Sequence, residues 1–139
     1  MNPKATKLLQ EIMSAHMEAV EKALPLTNQD LDRRAPFAGG REVPVRNLVY
    51  TLGAHPREHA IHITKILQET HAPYASPTEA QMVLATVWQS LAELMAVCSR
   101  LQDDDLARTI EGETIGGVLE HVRDTYRSYT NRIAEATKA

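Results

Sequence analysis

The sequence predicts an all-α fold: a four-helix bundle built from two pseudo-repeated helix–loop–helix halves. Three observations carry this reading. Four segments place apolar residues at helical spacing between recognisable start and stop signals. No run alternates with period two between turn signals, so nothing reads as a strand. Two loops, Leu26–Arg33 and Leu101–Arg108, share the phrase L-x-x-x-D-L-x-R, and each leads through a polar, Gly-containing stretch into a helix.

The first helix has Asn2 as N-cap and Pro3 at the first helical position. Leu8, Ile12, Ala15, Ala19 and Ala23 then recur at helical spacing until Pro25 stops it. The second starts at Val43-Pro44 and runs to about Thr70, with Val45, Val49, Leu52, Ile63, Ile66 and Leu67 on one side and Pro73 closing it. The third opens with Ser76-Pro77-Thr78-Glu79, read as a capping box with Pro at the first position. Met82, Leu84, Val87, Leu91, Leu94, Met95, Cys98 and Leu101 follow. The fourth starts near Thr114 and carries Ile115, Val118, Leu119, Val122, Tyr126, Tyr129 and Ile133. A linker of about five residues between the second and third helices demands antiparallel neighbours.

Bulk properties narrow the function classes. The 139 residues, 43% hydrophobic and 24% charged, suit one domain spanning residues 1–139 with an aliphatic core. A net charge of −3 without a basic face argues against nucleic acid as a partner. Cys98 is the single cysteine, which fits a reducing compartment. The N-terminus reads as free of a signal segment, and no stretch approaches the ~18 apolar residues of a membrane span. A cytoplasmic protein without membrane contact is the expectation. Asp103-Asp104-Asp105 is read as a helix start.

The chemistry sits in the histidines. Three of the six, His55, His59 and His62, follow 4-then-3 spacing along one stripe of the second helix. In a projection at about 100° per residue, His59 falls inside the apolar face near Leu52. His55 lies at the edge, His62 slightly further out, and Glu58 points away. An i, i+4 histidine pair offers two neutral imidazoles to one divalent ion, zinc or nickel above all. A third ligand must come from elsewhere. His121 is the only histidine of the fourth helix and lies at the edge of its apolar face; His62 is its nearest rival. Pro56 and Gly53 weaken the same segment of the second helix. His55-Pro-Arg-Glu58-His59 is not the H-E-x-x-H of zinc proteases. His16 and His71 read as ordinary surface or core histidines, His71 near a helix end where a cation suits the dipole.

These residues resemble the DinB-like superfamily of four-helix-bundle metalloenzymes, over nearly the whole chain. The carriers are the loop phrases around Asp30-Leu31 and Asp105-Leu106, the helix starts Pro44–Val49 and Thr114–Leu119, and the histidines. The resemblance implies a three-histidine metal site of His55, His59 and His121. It also implies a metal-dependent hydrolase, or a transferase using a low-molecular-weight thiol, acting on a small-molecule substrate. In the family the single histidine usually comes from the second helix and the pair from the fourth; here the assignment is exchanged. Thr51 stands where the single His would be, and Thr125 and Tyr129 where the pair would be. Thr51, His62, Thr125 and Tyr129 are cleft candidates, and no general base is legible. The competing expectation is a non-catalytic helical bundle, a homodimer that binds metal or a small ligand.

Overall fold

The computed structural model describes residues 3–73 and 76–138. It is predominantly helical, and the chain divides into two units, Met1–Ser99 and Arg100–Ala139. The expected cap at Asn2 lies outside the described residues.

In the N-terminal unit, α1 spans Pro3–Ala23 and ends as expected before Pro25, with the Leu24 amide donating to the Val20 carbonyl at 2.9 Å. Thr27 then caps the short α2, Asn28–Asp32. Its hydroxyl accepts from the Asp30 amide at 3.2 Å, and the Asp30 carboxylate accepts from the Thr27 amide at 3.0 Å. This reciprocal box satisfies two amides that a helix start leaves without partners. Strands β1 (Arg34–Pro36) and β2 (Glu42–Pro44) pair antiparallel, with Ala35 opposite Val43. Gly39 and Gly40 take φ of 72° and 71° between them, a left-handed conformation that glycine adopts without steric cost. Helix α3, Val45–Glu69, follows directly, its first amide donating to the Arg33 carbonyl at 2.8 Å. Arg46 pairs with Asp32 across this junction. Helix α4 spans Glu79–Cys98.

The C-terminal unit builds the same sequence of devices in fewer residues. The Gln102 amide donates to the Asp105 carboxylate at 2.9 Å at the start of a 3₁₀ turn, Asp103–Ala107. The Arg108 amide donates to the Asp105 carbonyl at 3.0 Å, as Arg33 does to Asp30 at 3.2 Å. Strands β3 (Thr109–Ile110) and β4 (Glu113–Thr114) form a two-residue hairpin. Glu111 and Gly112 both have positive φ, 52° and 87°, the backbone of the turn that matches strand twist. Helix α5, Ile115–Ala136, starts with its first amide donating to the Arg108 carbonyl at 3.0 Å. The Thr114 hydroxyl caps it by accepting from the Gly117 amide at 3.0 Å.

Several expectations need correction. Both polar stretches hold short hairpins, too brief for a period-two signal to register. Val43-Pro44 therefore ends a strand, and α3 begins at Val45. The box before α4 is formed by Thr78 and Gln81, not by Ser76 and Glu79; Thr78 accepts from the Gln81 amide and Gln81 from the Thr78 amide. That helix stops at Cys98, short of Leu101. By length and composition it is apolar enough to cross a membrane, at a mean hydropathy of 1.3; the expected absence of any such stretch overlooked it because Gln81, Gln89, Ser90 and Glu93 interrupt the apolar run.

None of the described residues is fully buried. In the N-terminal unit, α1 and α4 flank an apolar cleft of about 520 Å³ lined by Met17, Val20, Trp88, Leu91 and Met95, among others. Val45, Leu48 and Val49, at the start of α3, are half-buried beside α2 and β2.

Candidate metal centre

Helix α3 carries Thr51, His55 and His59 at successive i, i+4 positions, so all three lie along one stripe. The His55 and His59 rings stand edge to face, with centroids 4.3 Å apart and planes at 85°. Their Nε2 atoms approach to 3.1 Å. An imidazole pair this close has two uses. One Nε2–H donates to the other's lone pair, or both lone pairs turn toward one cation. The second use was tested on geometry. With metal–nitrogen bonds of about 2.0–2.1 Å, a 3.1 Å separation subtends roughly 95–102° at the ion. That lies between octahedral and tetrahedral angles, so the Nε2 separation is compatible with both atoms meeting one ion.

The neighbours qualify the site. His62 stands a further step along the helix, its ring centroid 6.1 Å from that of His59 and its plane tilted by 33°. The Thr51 hydroxyl donates back to the Asn47 carbonyl at 2.7 Å, so its proton is held within the helix. Pro56 lies inside α3, which remains helical across it; the Leu52 carbonyl there loses its usual amide donor. Among the described residues of the N-terminal unit, no third His, Cys, Asp or Glu completes a metal-holding group with the pair.

His59 lies on the side of α3 that carries Leu52 and Ile63, and all three are exposed. An apolar stripe shows which face can be buried; it does not supply the element that covers it. One expectation about α3 is corrected here. Glu58, placed facing away, brings Oε2 to 3.9 Å from His55 Nδ1. The projection followed the Cβ direction, whereas a glutamate at i+3 is long enough to lean back over the preceding turn.

In the C-terminal unit, His121, Thr125 and Tyr129 repeat the i, i+4, i+8 stripe on α5. His121 and Tyr129 are exposed and Thr125 is half-buried. The Arg132 guanidinium sits 5.6 Å from the Tyr129 ring centroid, within cation–π range. Asp124, three residues after His121, is occupied by Arg123, which donates to its carboxylate at 2.8 Å and 3.2 Å. That contact leads the influences holding the Asp124 carboxyl below its ordinary range.

A positional equivalence between the helices was not legible from spacing alone. The first amides of α3 and α5 donate to Arg33 and Arg108, the matching residues of the two loops. Counted from Val45 and Ile115, the seventh residues are Thr51 and His121, the eleventh His55 and Thr125, and the fifteenth His59 and Tyr129. The two polar stripes thus occupy the same three positions of their helices.

Of the remaining histidines, His16 packs edge-on against Trp88 at 5.9 Å beside the α1–α4 cleft. His71 takes a φ of 54° just past the end of α3. Among known proteins, no family model, no curated sequence and no solved structure matches this chain.

Proposed function

We propose that this chain is a DinB-like metalloprotein that holds one divalent ion, zinc or nickel, with His55, His59 and His121. The observation that carries the reading is the 3.1 Å approach of the two Nε2 atoms on α3. The positional equivalence of the α3 and α5 stripes supports His121 as the third ligand. If the apolar faces of α1, α3, α4 and α5 close into a four-helix bundle of two pseudo-equivalent halves, equivalent positions face a common axis. His121 then enters the cluster where Thr51 would stand in the mirrored half. In such a bundle α4 would be the core helix, a reading supported by the apolar cleft it shares with α1.

Three neutral imidazoles leave a coordination position open for water, a thiolate or a substrate atom, and the ion supplies Lewis acidity there. The chain's own residues supply orientation. Thr51, Thr125 and Tyr129 on the stripes, and His62 beside one of them, would contact a small-molecule substrate. A metal-dependent hydrolase or a thiol-dependent transferase is the activity in keeping with this set. A second reading, metal or small-ligand binding without turnover by a homodimer, is favoured by one observation. The Thr51 hydroxyl proton is committed to Asn47, which leaves no evident proton-transfer group on that turn.

The test is metal content by mass spectrometry after purification without a histidine tag. One equivalent of zinc or nickel in the wild type and a large loss in His59→Ala and His121→Ala is expected. A wild type that neither retains nor takes up metal overturns the reading. Loss in His59→Ala with full retention in His121→Ala overturns the ligand set.

A further inference from the structure

We infer that Glu58 is the positioning residue that orients His55 for metal binding. The inference rests on the metal reading above and deepens it. An imidazole can give a metal only one nitrogen at a time, and the other nitrogen must then carry the proton. His55 directs Nε2 at His59, with 3.1 Å between the two Nε2 atoms. Nδ1 is left on the other side of the ring, and there the Glu58 carboxylate stands 3.9 Å away. This is an ion-pair separation, longer than a hydrogen bond. Both side chains are largely exposed, at 62% and 73%, so a small rotamer adjustment is free to shorten it.

Three features favour this role over an incidental surface contact. Glu58 makes no other ion pair or side-chain hydrogen bond among the described residues, although Arg57 is adjacent in sequence. The contact selects the nitrogen that the metal does not need, and a carboxylate acceptor at Nδ1 holds the proton there and leaves the Nε2 lone pair free. The position on α5 equivalent to Glu58 is Ser128, which carries no carboxylate. The carboxylate three residues beyond His121, Asp124, is engaged first by Arg123, which donates to both of its oxygens, and feels His121 only as its weakest influence. Among the described residues the carboxylate–imidazole approach is the one at His55, so the pair on α3 is the better-prepared half of the site.

The experiment uses the full-length protein and two readouts. The first is titration with Co²⁺, followed by its visible absorption, for wild type, Glu58→Ala, Glu58→Gln and the same changes in a His55→Ala background. Glu58→Ala is expected to weaken Co²⁺ binding about 10- to 100-fold, the range for loss of an orienting partner. Glu58→Gln, whose amide oxygen still accepts from Nδ1–H, recovers part of that loss. In the His55→Ala background Glu58→Ala has no further effect, because the interaction it served is gone. The second readout needs no metal: long-range ¹⁵N–¹H correlation spectra of the His55 ring at a pH where the ring is neutral. The Nδ1–H tautomer is expected to prevail in wild type and to lose ground in Glu58→Ala. Unchanged Co²⁺ affinity in Glu58→Ala of a metal-binding wild type overturns the inference and leaves the metal reading standing. Absence of Co²⁺ binding in every variant overturns the metal reading, and the tautomer comparison then decides whether Glu58 orients His55. A His55 tautomer indifferent to Glu58 overturns the inference in either case.

Discussion

The spacing of the α3 pair can be tested without changing the composition of the helix. His59 lies four residues after His55, which places it about 6 Å further along the axis and rotated by only about 40°. The double change His59→Ala/Ala60→His moves one imidazole by a single position. Its separation becomes about 7.5 Å along the axis and roughly 140° around it, so the rings point to different sides and one ion cannot bridge them. The 3.1 Å Nε2 approach is lost, while alanine and histidine counts are unchanged. Loss of the two-point grip should weaken Co²⁺ or Zn²⁺ binding by about 100-fold or more, about 2.7 kcal/mol, and should match His59→Ala alone. The opposite manipulation is Thr51→His/His59→Ala, which rebuilds an i, i+4 pair one turn earlier on the same stripe and should recover part of the affinity. The assay is Co²⁺ titration by visible absorption, with circular dichroism as a check that helix content holds. Wild-type affinity in His59→Ala/Ala60→His would refute the idea that helical spacing makes this pair a ligand.

Other consequences concern the frames that present the two stripes. Thr114→Ala removes the hydroxyl that accepts from the Gly117 amide and should cost about 1 kcal/mol, read as a lower denaturant midpoint with an unchanged slope. Gly112→Val forces a β-branched residue to the 87° φ of the β3–β4 turn and should cost about 1–3 kcal/mol; an unchanged melting curve would contradict the left-handed turn. The Asp30 and Asp105 carboxyls are held below their ordinary range, first by the backbone amides of Thr27 and Gln102. A depressed folded-state pKa means stability that is present above the unfolded value, near 3.9, and is lost as pH falls through the folded value. Asp30→Asn and Asp105→Asn should therefore lower stability at neutral pH and flatten its decline in acid below about pH 4, as measured by urea unfolding at a series of pH values.

Helix existence was legible because each long helix announces itself twice, in its apolar period and in its punctuation. Pro25 and Thr114 mark boundaries that the structure keeps. Boundaries failed where punctuation was ambiguous. Val43-Pro44 looks like a helix start, since proline suits a first turn, yet the β1 residues Arg34 and Ala35 claim this segment as a strand partner. The pairing is local, eight to ten residues apart, but its strands are three residues each and carry no alternation to mark them. The site divides along the same line. His55 and His59 lie on one helix, so spacing alone brings their rings together. The reach of Glu58 depends on side-chain length, which a projection of backbone angles does not contain. His121 belongs to a different helix, and its proposed membership of the site rests on a register rather than a local pattern. That register comes from Arg33 and Arg108, whose carbonyls receive the first amides of α3 and α5. The repeated loop phrase thus has a mechanical role. It fixes the turn at which each helix begins, and through that the residues that occupy its seventh, eleventh and fifteenth positions. Hairpins of different size thus precede the two helices while the stripes keep the same positions. Inserting one residue between Arg108 and His121 on the helix side of the anchor would instead rotate His121 by about 100° and separate it from the position that Thr51 holds on α3.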